Sequence, residues 1–173
     1  MRKTRFLLPL ATLPATLLAA RSGNSAADTD RQFRDMLDRN EITVLIDRLG
    51  RSLDEGRFED LRGIYTADAT AKTPGGRAAG IDAMIAQASR NHSDDRKIQH
   101  VISNVLIDLD RGTAEVRANL IATFAAPAVA GSLPTVEFAL GETYRFDAVR
   151  TTEGWRLSRV ETTPLWSTGT LPL

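Results

Sequence analysis

Thr113-Ala114-Glu115-Val116-Arg117-Ala118-Asn119-Leu120-Ile121-Ala122-Thr123-Phe124 is the stretch that decides the architecture. Its even positions are all apolar, while Glu115, Arg117 and Asn119 stand between them. A period of two puts one side on a core and the other in water, which describes a half-buried antiparallel strand. Val136 to Ala148 repeats the pattern, with Val136, Phe138, Leu140, Tyr144, Phe146 and Ala148 sharing a face with one carboxylate, Glu142. Lys97 to Asp108 and Trp155 to Thr163 read as two more strands, with turns at Asp110-Arg111-Gly112 and Glu153-Gly154. Thr70 to Ala78, turning at Pro74-Gly75-Gly76, is a small hairpin, and Ala125 to Pro134 is a longer connection.

Upstream the period changes to that of a helix. Ile42, Ile46, Leu49 and Leu53 are spaced by 4, 3 and 4, behind a capping box at Asp38-Arg39-Asn40-Glu41 and ahead of a stop at Gly56. Phe33, Met36 and Leu37 extend the spacing toward Thr29, with a break predicted around Asn40. Arg57 to Ile64 and Gly80 to Arg90 make two shorter helices. Helices followed by a meander of long strands define an α+β domain, the helices packed on one face of a curved antiparallel sheet.

The chain of 173 residues balances 22 Lys plus Arg against 22 Asp plus Glu and has no cysteine. Met1 to Ala27 reads as a signal peptide: a basic start, an uncharged run from Phe6 to Ala20, and small residues at Ser25-Ala26-Ala27. That places an exported, periplasmic or secreted domain over residues 28–173. The apolar run is too short to predict a stable membrane anchor, and Arg21 stands where a lipoprotein would carry its cysteine. Without the leader, 18 basic residues face 22 acidic ones, a balance that lacks the basic footprint of a nucleic-acid partner.

His100 is the leading candidate for chemistry, since it opens a strand on the face of Ile98 and Ile102 and an imidazole exchanges protons near neutral pH. The other reading is a core histidine satisfied by backbone. Glu142, alone on an apolar face, either lines a cavity or pairs with Arg159 or Arg117. His92, within Asn91-His92-Ser93-Asp94-Asp95, reads as a solvated loop residue. Two histidines without cysteine form no recognisable metal set, and neither a phosphate loop nor a serine-hydrolase elbow is present.

Asp38-Arg39-Asn40-Glu41-Ile42, Leu53-Asp54-Glu55-Gly56-Arg57-Phe58, Tyr65-Thr66-Ala67-Asp68-Ala69, Gln99-His100-Val101 and Gly154-Trp155-Arg156-Leu157, with Trp166 beyond, occur in that order. The set resembles the SnoaL-like family of the NTF2-like superfamily, near scytalone dehydratase and the bile-acid 7α-dehydratases, over about Met36 to Gly169. The resemblance implies an NTF2-like cone, in which a curved sheet wraps a long N-terminal helix and encloses an apolar cavity. It also implies no cofactor, a homo-oligomer (dimer or trimer), and a small cyclic hydrophobic molecule as substrate or ligand.

By that resemblance His100 is the catalytic acid and base and Asp54 its partner; the residues alone also allow Asp54 to cap the helix at Arg57 or to face water. Asp47, Leu49, Tyr65, Glu142, Tyr144 and Trp166 are the expected substrate-binding positions. Leu49 departs from the dehydratase pattern, which has a tyrosine there, and the inward face Ala118, Leu120, Ala122 and Phe124 lacks a second polar group. Two functions follow as expectations: a cofactor-independent lyase or isomerase acting on a hydroxylated or carbonyl ring compound, or a non-catalytic binding domain for an apolar ligand.

Overall fold

The computed structural model describes residues 19–90, 92, 93 and 96–170, with side chains from residue 25 onward. The predicted leader lies outside the described residues as far as residue 18. The chain divides into two units, Met1–Met36 and Leu37–Leu173. In the first, the chain is helical from Ala19, Arg31 pairs with Asp28 at 3.0 Å, and Phe33 and Met36 are exposed.

Helix α1 (Ala19–Asp54) is continuous, so the predicted break at Asn40 is absent. The reason lies in the second unit, where the carboxylate of Asp38, expected as a helix cap, instead accepts from the Arg150 guanidinium. Arg150 in turn lies 4.8 Å over the Trp155 ring. A carboxylate held by a partner across the fold no longer competes for the helix backbone. A 3-10 helix (Phe58–Gly63) follows, then strands β1 (Tyr65–Thr73) and β2 (Gly76–Ala79) and helix α2 (Ile81–Ser89). The meander is β3 (Lys97–Asp110), β4 (Thr113–Ala125), β5 (Val136–Thr151) and β6 (Gly154–Gly169).

The six strands form one curved, open sheet in the order β2-β1-β6-β5-β4-β3. Its pairs are antiparallel except β1 with β6, which run parallel, so the sheet is mixed rather than antiparallel throughout. Alternation reports which face a side chain takes and carries no information on strand direction, which the long connection through α2 and the meander sets. Irregular pairing at Ser103/Leu106, Gly141/Glu142 and Asp147/Ala148 bends the strands.

The inner face is the one read from alternation. Ala114, Val116, Ala118, Leu120 and Ala122 of β4 are buried, and Ile42, Leu45, Ile46 and Leu49 of α1 join the same core. Helix α1 also caps the exposed edge of β3: the Asp54 carboxylate accepts the His100 backbone N–H at 2.7 Å, and the Arg39 guanidinium donates to the Ile107 carbonyl. An edge strand covered this way offers fewer free groups to another chain.

Candidate active site

Asp54 is the last residue of α1 and His100 the fourth of β3, so the helix end meets the sheet edge at these two side chains. One carboxylate oxygen, Oδ1, lies 2.7 Å from the His100 backbone nitrogen and 2.7 Å from its ring Nδ1. A carboxylate only accepts, so we assign the ring proton to Nδ1, which leaves Nε2 as an acceptor with a lone pair. Two bonds from one residue to one oxygen fix the ring relative to the strand that carries it. Sequence reasoning brought this pair together, and the structure does too.

His100 lines a cavity of about 270 Å³. Leu49, Leu53, Leu61, Met84, Phe124 and Val160 make its wall largely apolar, and Tyr65, Tyr144, Thr73, Gln87 and His92 also line it. Ligand pockets run from roughly 300 Å³ upward, so this one suits a small ring compound. Burial raises Tyr144, aided by the nearby charges of Glu142 and Asp54, and burial with Tyr144 beside it raises Tyr65 well above the usual phenol range. Both hydroxyls therefore stay protonated and can donate.

The remaining expected binding residues divide. Leu49, Tyr65 and Tyr144 line the cavity. Asp47 does not: it is exposed in an outer groove with Asp54, Arg48 and Arg51. Seven residues on from Asp47 the helix has made nearly two turns, so both acids lie on the side facing that groove, and Asp54 reaches His100 from there. Glu142 is 5 % exposed and stands behind the wall, where Thr162 Oγ1 donates to its Oε1 at 3.1 Å. No arginine among the described residues pairs with it; Arg159, one expected partner, bonds Asp147 and Glu161 instead. Burial raises the Glu142 carboxyl, and Thr162 and then His100 oppose that shift.

Trp166, an expected binding position by the resemblance, is not among the residues that line the cavity. Strict alternation from Thr162 through Pro164 carries it to the inner face, but Leu165 is an extra residue: Pro164 pairs with Glu142 and Trp166 with Gly141. That one-residue slip turns the indole to the outer face, half-exposed over Gly141 beside Ile121. A Cβ on Gly141 would run into the indole, so the glycine is what lets it lie flat.

His92 is the residue that sequence reasoning missed. It is half-buried, lines the same cavity and meets the Phe58 ring edge-on at 5.1 Å between centroids. Its ring sits against Gly56, where a Cβ would stand 2.5 Å from Nε2. Gly56, at φ +66°, closes the turn after Asp54, so the same turn that ends helix α1 seats this imidazole. The signal available in the sequence was this glycine, read only as a helix stop. Among the described residues no group of three or more His, Cys, Asp or Glu could hold a metal ion, and no helix is long and apolar enough to cross a membrane.

An α1 helix against a curved, open sheet, with an Asp-His pair at a cavity, defines an NTF2-like α+β domain. The chain belongs to the SnoaL-like domain family, whose model matches residues 34–161. Among solved structures it is similar to the Kfla4162 protein of Kribbella flavida, with 26 % identity over 78 % of this chain and 95 % of that one, TM-score 0.68. An NTF2-like protein with a cystatin-like fold from Novosphingobium aromaticivorans is 25 % identical over 80 % and 89 %, TM-score 0.67. A protein named as a candidate scytalone dehydratase from the same organism shares the fold at 21 % identity over 84 % and 93 %, TM-score 0.68. None of the curated proteins matches the chain in sequence.

Proposed function

We propose that the protein is a cofactor-independent lyase or isomerase, dehydratase-like, acting on a small cyclic hydrophobic hydroxylated or carbonyl compound. The observation that carries this reading is the single Asp54 oxygen holding both the backbone and the ring of His100 while that ring faces an apolar cavity. Nε2 takes a proton from the carbon next to a carbonyl; Asp54 stabilises the imidazolium that results. Tyr144 and Tyr65 donate to the carbonyl oxygen as it gains charge, and the apolar wall excludes water around it. Likeness to a candidate scytalone dehydratase supports the reaction class. In this reading the domain is exported and works as a homo-oligomer.

The test is turnover of a panel of cyclic β-hydroxy ketones, followed by the absorbance of the conjugated ketone formed. His100→Ala should lower the rate by about 10²- to 10⁴-fold, the usual weight of a general acid or base, with the fold retained by circular dichroism. Full activity in that variant rejects the role. A second reading, a non-catalytic binding domain for an apolar ligand, is favoured by Leu49 and by the apolar run Ala118, Leu120, Ala122 and Phe124. It expects ligand affinity to be flat across the pH range in which imidazole titrates.

A further inference from the structure

The outer face of the sheet sorts its charges by sign. The alternation that buries Ala114, Val116, Phe146 and Ala148 turns Glu115, Arg117, Arg145 and Asp147 outward. One row across the strands runs Asp108, Glu115, Asp147 and Arg159, on β3 to β6 in turn. The next row runs Leu106, Arg117, Arg145 and Glu161. Like charges therefore stand directly opposite each other on paired strands, Glu115 to Asp147 and Arg117 to Arg145, an arrangement that costs stability in a lone sheet. Asp147 is eased by Arg159 at 3.3 Å, and Glu161 by Arg159 and Lys72. Glu115, Arg117 and Arg145 are exposed and in no ion pair among the described residues. Both rows border one outer groove.

Strand by strand the two rows are opposites: Glu115 against Arg117 on β4, Asp147 against Arg145 on β5, Arg159 against Glu161 on β6. A two-fold axis lying across the strands between the rows sets each row of one copy on the other row of its partner. Glu115 then meets the partner's Arg117 and Asp147 the partner's Arg145, and each pair occurs twice. Sheets stacked face to face lie about 10 Å apart, a gap that an arginine and a carboxylate span together. Strands β3 to β6 have 14, 13, 16 and 16 residues. At about 4.8 Å between strands and about 3.3 Å per residue their outer face measures roughly 800 Å², the share each partner gives to a standard interface. A polyanion would suit the arginines and be repelled by the acidic row beside them, whereas the chain itself carries the complementary pattern. We propose that this face binds a second copy of the chain, with the two charge rows in reciprocal register. The inference rests on the homo-oligomer part of the proposed function, for which it names the interface and the symmetry; it is independent of the lyase part.

The test is the mass of the full chain in solution by light scattering, with dilution to give the dissociation constant. The parent should measure twice 18.9 kDa. Arg117→Glu with Arg145→Glu makes both rows acidic on β4 and β5, and Glu115→Lys with Asp147→Lys makes both basic. Each variant alone should dimerise at least about 100-fold more weakly, since like charges then meet across the interface. The two variants mixed should recover the parent's affinity to within about tenfold, because all four central pairs form again between them. Arg117→Gln with Arg145→Gln removes the attraction without adding repulsion and should weaken the dimer at least about tenfold, so the test stands even where a reversed variant loses its fold by circular dichroism. Undiminished affinity in the reversed or the glutamine variants, or folded reversed variants that do not associate with each other, overturns this interface while the homo-oligomer reading stands. A parent that stays a single chain at every concentration overturns both, and the lyase reading is judged separately by His100→Ala.

Discussion

Along β4 and β5 the inner face changes character halfway. In one half Val116, Phe146 and Ala148 pack with Ile42, Ile46, Trp155 and Leu157, all within 2 % of complete burial. In the other the same strands present Ala118, Ala122, Tyr144 and Glu142, facing Thr162 and His100. Val116, Phe146, Trp155 and Leu157 fill the first half; in the second Phe124 and Tyr144 border the cavity, and the polar groups of the inner face collect there. Tyr144 and Phe146, with ring centroids 4.9 Å apart, mark the border. The filled half stabilises the domain, and the emptied half gives up packing for a cavity.

The sharpest way to break that comparison is Phe146→Ala. Removing a fully buried aromatic from the filled half should cost about 3–5 kcal/mol by transfer and cavity terms together, read from denaturant unfolding. A loss below about 1 kcal/mol would mean that the half is loosely packed and that the contrast is false.

The emptied half makes a prediction of opposite sign. Burial raises the Glu142 carboxyl, so between its ordinary and raised values the folded protein binds more protons than the unfolded chain. Stability then falls as pH rises through that window and stays lower above it. Glu142→Gln keeps an oxygen for Thr162 and cannot ionise. It should match the parent near about pH 4 and become the more stable of the two by about pH 8, as denaturation midpoints at several pH values will show. An offset that does not vary with pH would place the cost elsewhere than in the buried charge.

Legibility followed the same division. The inner face of β4 and most of β5 could be read residue by residue, because a period of two needs only the residues themselves. The pairing of Asp54 with His100 was reached through an ordered set of short motifs; helix geometry alone put Asp54 beside Asp47 and left its partner open. What escaped depends on residues far apart in the chain. Arg150 holds Asp38 and carries the helix through Asn40; Thr162, not an arginine, meets Glu142; Gly56 seats His92. The direction of β1 against β6 belongs to the same kind, since it is set by what lies between them.

Trp166 shows how little it takes to lose a residue from the site, and it supplies the smallest effect. One extra position, Leu165, moves the indole from the cavity side to the outer face, where it is 47 % exposed over Gly141. If the comparison between faces is sound, Trp166→Ala should leave binding of a cyclic ketone to the cavity unchanged and lower stability by about 1 kcal/mol or less, since only part of the ring is buried. A clear loss of ketone affinity with unfolding unaffected would return the indole to the cavity and the slip between β5 and β6 with it. The outer row that Trp166 shares, Val101 and Ile121 across β3 and β4, should then be the control: both point away from the cavity, and polar substitutions there should be silent in the same binding assay.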